Sequence, residues 1–148
     1  MKLAINILGG LAGALVLNAI HEGAKRAIPS APEINKVGEE AITKVSKAAG
    51  MPPPAGKKLY TATLAGDLVS NAIYYSAIGK GDKQTLLLRG AGYGLIAGLG
   101  VIGLTKPLGL DDEPINKSMS TKFLTVLWYT LGGIVAASAI KLLDNTAD

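Results

Sequence analysis

Residues 89–105 read RGAGYGLIAGLGVIGLT, an apolar run in which Gly90, Gly94 and Gly98 recur every fourth residue, with Gly92, Gly100 and Gly103 beside them. In water this is a poor helix, because each interior glycine costs about 1 kcal/mol relative to alanine. In a bilayer the backbone must satisfy its own hydrogen bonds, so a single spanning segment has to be helical whatever its propensity. Glycines at i, i+4 and i+8 then form a flat strip where a neighbouring helix can approach to backbone contact. This segment is therefore expected to be a central membrane helix onto which the other apolar segments pack.

Charge is pushed to the edges of four segments. Residues 3–20, 68–79, 90–105 and 123–140 carry no Asp, Glu, Lys or Arg. About 20 apolar residues span the hydrocarbon core, so the first and last qualify almost alone, and the middle two qualify if Asp67 and Arg89 are drawn into the membrane. Hydrophobic residues make up 49% of the chain and its mean hydropathy is +0.34, and none of the four segments shows the charged outer face of a soluble helix. The expected fold class is an all-α polytopic integral membrane protein. It is a single membrane domain over 1–148, with spans at about 3–27, 59–78, 84–105 and 120–143. Lys2 followed by an apolar run also has the form of a signal peptide, with small residues near Asn18-Ala19 as a cleavage point.

An amphipathic surface helix over about 31–49 separates the first two spans. Ile34, Val37, Ala41, Ile42 and Val45 recur at helical intervals with Lys36, Glu39, Glu40, Lys44 and Lys47 between them. Ser30 and Glu33 have the spacing of a capping box, and Gly50 followed by Pro52, Pro53 and Pro54 ends the helix. Such a helix is expected to lie flat on the membrane surface. Short polar turns at 79–82 predict that the second and third spans are antiparallel neighbours, and Ser118 or Ser120 is placed to cap the last helix. Ten Lys and Arg fall in the loops on one side (Lys25, Arg26, Lys36, Lys44, Lys47, Lys57, Lys58, Lys106, Lys117, Lys122) and five on the other. That asymmetry puts both termini outside and residues 21–58 in the cytoplasm.

Candidate chemistry is sparse. In the second span Tyr60, Thr63, Asp67, Asn71 and Tyr74 fall on one face, which should turn from lipid towards a partner helix or a wet cavity. Asp67 lies about 12 Å below the start of its helix at 1.5 Å per residue. Arg89 on the next helix is its evident partner, although the same rise leaves about 9 Å between them along the axis. Asp67, Asn71, Tyr74 and Arg89 thus form a candidate polar intramembrane site, with interhelical hydrogen bonding as its plainest role. Asn18, His21 and Lys25 share a face at the end of the first helix, and with Glu22 and Arg26 they are placed to contact lipid headgroups. His21-Glu22 opens an H-E-x-x-H pattern, but residue 25 is Lys and the chain holds one histidine, short of the three or four ligands a metal needs.

No metal site and no cofactor are expected. The glycines near residue 90 neither follow a strand nor precede a Lys-Ser pair, so they are no phosphate loop. Basic residues lack aromatic interleaving, which excludes nucleic acid as an evident partner; membrane lipids fit them better. There is no cysteine for disulfide or thiolate chemistry. The expectation is a structural, accessory or lipid-interacting helical bundle, more readily a non-enzyme, which a second copy or a partner subunit can join. The alternative is a small transporter or channel subunit built around Asp67, Asn71 and Arg89.

Overall fold

The computed structural model describes residues 2–146. Among them are six α-helices: α1 (Lys2–Ala27), α2 (Ile34–Ala48), α3 (Gly56–Ser76), α4 (Leu86–Leu104), α5 (Glu113–Asn116) and α6 (Met119–Asn145). Two 3-10 turns, Ala77–Gly79 and Lys83–Thr85, join α3 to α4. The chain is an all-α, integral, multi-spanning membrane protein. Three stretches, α1, Lys83–Leu104 and α6, are long and apolar enough to cross a bilayer. At 21 residues α3 matches them in length, but its polar stripe keeps it out of that apolar class.

Cross-helix neighbours give the topology. Gly10 of α1 lies against Ala72 and Ser76 of α3, Gly13 against Gly132 and Ala136 of α6, and Gly98 of α4 against Thr125 and Val126 of α6. Further along these helices, Glu22 and Lys25 of α1 meet Tyr60 of α3, His21 meets Trp128 of α6, and Gly90 of α4 meets Gly133 and Ala137 of α6. Residue numbers rise on one helix as they fall on its neighbour, so α1 runs antiparallel to α3 and α6, and α4 antiparallel to α6. One end of the bundle gathers Lys2, Lys83, Arg89 and Asp144; the other carries α2, α5 and their loops.

The glycine helix is not the centre of this arrangement. Of the most apolar 18-residue window of each helix, 44% is buried in α6, 33% in α1 and 22% in α4. Helix α6 is central because it has small residues on two faces: Gly132 and Ala136 meet α1, while Gly133 and Ala137 meet α4. The strip on α4 has one partner. Gly90, Gly94 and Gly98 are all buried, and a Cβ on Gly94 would sit 2.5 Å from the Thr130 Cα. Helices α3 and α4, expected as neighbours, are antiparallel but meet at few points, chiefly where the Tyr74 hydroxyl donates to the Tyr93 carbonyl at 2.9 Å. Their small-residue faces are turned to α1 and α6 instead. Large apolar side chains point outward, with Leu88, Ile96, Phe123, Val69 and Ile73 all exposed.

Helix α2 is docked rather than free. A Cβ on Gly38 would lie 2.6 Å from the Thr63 Cγ2, so glycine in mid-helix is what lets α2 approach α3. Its C-terminus is a Schellman motif: Gly50, at φ +70, donates to the Lys47 carbonyl and Met51 donates to that of Ser46. The capping box does not form. Ala31 N–H closes a turn onto Ile28 at 3.0 Å and Ala31 and Pro32 are buried, so α2 starts at Ile34 and Glu33 is free to pair. Its carboxylate meets Lys36 at 2.9 Å and Lys117 at 3.6 Å, while its N–H donates to the Pro114 carbonyl. Glu40 accepts from the Asp111 N–H at 2.7 Å, and the Lys44 ammonium donates to the Gly109 carbonyl. The connection between α4 and α6 thus contains α5 and holds α2 down. Ser118 caps α6, accepting from the Thr121 N–H at 3.0 Å.

Two outcomes are expected. Gly94→Leu should lower stability by about 1–3 kcal/mol or more, because the added atoms meet backbone rather than a movable side chain. Gly92→Ala, with nothing within 4 Å of its Cβ, should leave thermal unfolding in detergent near that of the native chain. Equal midpoints for Gly94→Leu and the native chain would refute the packing account. The second concerns pH. The Lys36 ammonium holds the Glu33 carboxyl below its ordinary value of 4.5, so its contribution is present above that value and lost as pH falls through the folded one. A nitroxide on Val45→Cys, an exposed position of α2, should keep constant mobility from pH 7 to about pH 5 and gain mobility only in stronger acid. A profile that stays flat in acid until the bundle itself unfolds would disprove that the Glu33–Lys117 pair holds α2.

Candidate functional site: a cavity beneath the amphipathic helix

Between α1, α3, α4 and α2 lies a partly open cavity of about 300 Å3, within the lower range of small-ligand sites. Its apolar wall comes mainly from the inner face of α2, with Ile34, Val37, Ala41 and Ile42, joined by Leu64 of α3 and Val101 of α4. Asn18, His21, Glu22 and Lys25 enter from α1, where the helical repeat sets them on one side. Thr63, Asp67 and Ser70 enter from α3 at i, i+4 and i+7. The face of α2 expected to meet a membrane surface instead roofs this cavity.

His21 forms the inner wall. Its side chain is buried, at 5% exposure, and its ring lies 5.4 Å from that of Trp128 and 5.6 Å from that of Tyr129. Among the described residues neither Nδ1 nor Nε2 has a hydrogen-bond partner, and both atoms are buried. Buried imidazole nitrogens are ordinarily paired, so this ring has unused capacity both to donate and to accept. Its chain neighbour Glu22 points to the mouth, where it accepts from the Lys25 ammonium at 2.7 Å and from the Tyr60 hydroxyl. Lys25 also stands 4.9 Å from the centre of the Tyr60 ring. A mutually neutralised acid and base thus stand in the lining of the cavity.

Asp67 faces the cavity with a single recorded partner, the Asn71 amide, which donates to Oδ1 at 2.9 Å. Among the described residues it has no ion pair. Asn71 is buried one turn further along. The remaining members of the expected polar site lie elsewhere. Tyr74 is spent on the Tyr93 carbonyl. Arg89 donates from Nε to the Ile78 carbonyl at 3.0 Å, and from Nη1 to the Asp82 carbonyl and the Thr85 hydroxyl at 2.7 and 2.8 Å. These bonds fold it back onto the α3–α4 turn, where Gly81 at φ +115 lets the chain pass close beneath it. The axial gap to Asp67 is not bridged.

The headgroup set divides as well. Asn18, His21, Glu22 and Lys25 line the cavity, whereas Arg26 is exposed. Asn35, Ser70 and Thr105 also line the cavity without having stood out in sequence. Only the spacing of Ser70 from Asp67 and Thr63 carried a signal. Among the described residues no group of three or more His, Cys, Asp or Glu is placed to hold a metal ion.

Comparison with protein-family models, with curated proteins and with solved structures finds no match to this chain.

Proposed function

We propose that the chain is a structural or accessory membrane bundle that works through lipid contact, with α3 as a fourth span beside the three apolar helices. The observation that carries this reading is the sorting of side chains. Glycine and alanine lie between the helices, Leu, Ile, Val and Phe face outward, and ionised groups stand mainly near the two ends. An outward face of that kind is suited to lipid and gives a catalytic apparatus no evident place. Both termini lie outside, with residues 21–58 in the cytoplasm, on the positive-inside rule. The outer face of α4 at Gly92 and Gly103, which nothing approaches, leaves room for a second copy or a partner subunit.

The absence of cysteine makes topology directly measurable. Single-cysteine variants Lys47→Cys and Asn145→Cys are exposed to a membrane-impermeant maleimide in intact cells. Position 145 should label at once and position 47 only after permeabilisation. Labelling of both from one side would require a different number of crossings and would remove α3 from the spans.

A transport reading draws on one observation, the cavity-facing Asp67 without an ion-pair partner among the described residues. It predicts pH-driven flux in proteoliposomes that Asp67→Asn abolishes. A native protein that moves no protons or ions in that assay leaves the accessory reading alone.

A further inference from the structure

We infer that the cavity beneath α2 binds a cationic amphiphile, a primary or secondary ammonium group on a short apolar body. Three features select that class. The walls from Ile34, Val37, Ala41, Ile42, Leu64 and Val101 accommodate hydrocarbon. The charges do not balance: Glu22 is neutralised by Lys25, which leaves the Asp67 carboxyl without a counter-charge among the described residues. An anion entering there meets a carboxyl group, whereas an ammonium supplies what that group lacks. Whichever of the two carries the proton, the acid and the amine form a neutral pair.

His21 supplies the second point of recognition. An ammonium has donors to spare after one bond to Asp67 and carries no acceptor. The neutral imidazole offers one bare nitrogen; among the described residues neither His21 nitrogen is engaged, both lie buried in the cavity wall, and a turn of the ring is needed to present one to the guest. Thr63 and Ser70 hydroxyls lie on the same α3 face as Asp67. Their oxygens keep acceptor capacity beyond their bonds to the Leu59 and Asp67 carbonyls. Carboxyl, imidazole and hydroxyl groups line one cavity that α2 roofs, and they give its uncompensated polar lining one sign.

The chain reports on this site without added labels other than isotope. It has one histidine and one tryptophan, and their rings are in contact. The protein, labelled with 15N-histidine in phosphatidylcholine nanodiscs at pH 7, is titrated with octylammonium, octanol and octanoate, with empty nanodiscs as the partition control. Octylammonium should move the His21 ring resonances and the Trp128 fluorescence saturably, octanol should bind more weakly, and octanoate weakest. Asp67→Asn should weaken octylammonium about ten- to a hundred-fold, the usual worth of a charge-assisted bond, and leave octanol unchanged. Equal binding of amine and alcohol, tighter binding of octanoate, or no saturable His21 shift with the amine overturns the inference. The ligand series on the native chain decides the matter if Asp67→Asn fails to fold. Failure here leaves the span topology, read by maleimide labelling, untouched.

Discussion

The structure depends on the backbone-to-backbone approach of α6 to α1 on one side and to α4 on the other. Lipid tails are as apolar as leucine, so nothing like the hydrophobic effect in water drives membrane helices together. Association has to come from van der Waals contact over a close, shape-matched surface. Gly9, Gly13, Gly132 and Ala136 provide one such surface, and Gly90, Gly94, Gly98, Gly133 and Ala137 the other. Glycine is tolerated at these positions because the helix is imposed by the bilayer and not by propensity. Close approach also removes room for water at the centre, so a polar group there must bond to backbone, as the buried Tyr75 hydroxyl does with the Tyr129 carbonyl at 2.8 Å.

Four helices joined by three tight interfaces leave a gap. Helix α3 leans on α1 and α4 on α6, and the two outer helices touch only near the α3–α4 turn, through Tyr74 and Arg89. Towards the other end they are unpartnered. There Thr63, Asp67 and Ser70 on α3 and Val101 and Thr105 on α4 border a space backed by α1. An open wedge of that kind would admit lipid, and α2 lies across it. The cavity is thus a product of the topology, and its polarity follows from the residues that α1 and α3 happen to present where the packing is loosest.

Much of this architecture was legible in the chain and some of it was not. The ends of the four long helices fall within three residues of the segments expected over 3–27, 59–78, 84–105 and 120–143, because charge marks where an apolar helix stops. Small-residue spacing disclosed which helices pack closely, yet not which one stands in the middle. That depends on whether a helix has one small-residue face or two, and Gly132-Gly133 with Ala136-Ala137 reads in sequence as a single patch. The amphipathic period of α2 revealed an apolar face without saying what covers it. Membrane surface and a groove in the same protein ask for the same pattern, and Gly38, which decides between them, is one residue. The stripe on α3 puts Asn71 within hydrogen-bond reach of Asp67, and Thr63 on the same cavity wall as Asp67. Tyr74 of that stripe reaches the Tyr93 carbonyl of a partner helix, and Arg89, on α4, turns to the carbonyls of Ile78 and Asp82, because a tyrosine oxygen or a guanidinium extends far enough to find carbonyls that no spacing rule records.

Bundle and roof are held by different forces. Van der Waals contact between helix backbones is indifferent to salt, whereas α2 buries no residue of its own and is attached through Glu33, Glu40 and Lys44 to the loop around α5. Of these links only Glu33–Lys117 is an ion pair, and an exposed pair is worth about 0–1 kcal/mol and weakens as salt screens it, while Glu40 and Lys44 bond to backbone groups. Local opening free energies follow the local density of buried contacts, so the roof must release before the bundle loosens. On that principle α2 is expected to lift while α1, α3, α4 and α6 keep their places, with the His21 and Asp67 walls still formed as the cavity opens. A site whose walls are rigid and whose cover is weakly held exchanges its contents without unfolding. That is the condition under which a carboxyl without a counter-charge and an imidazole without a partner, among the described residues, serve a guest rather than each other.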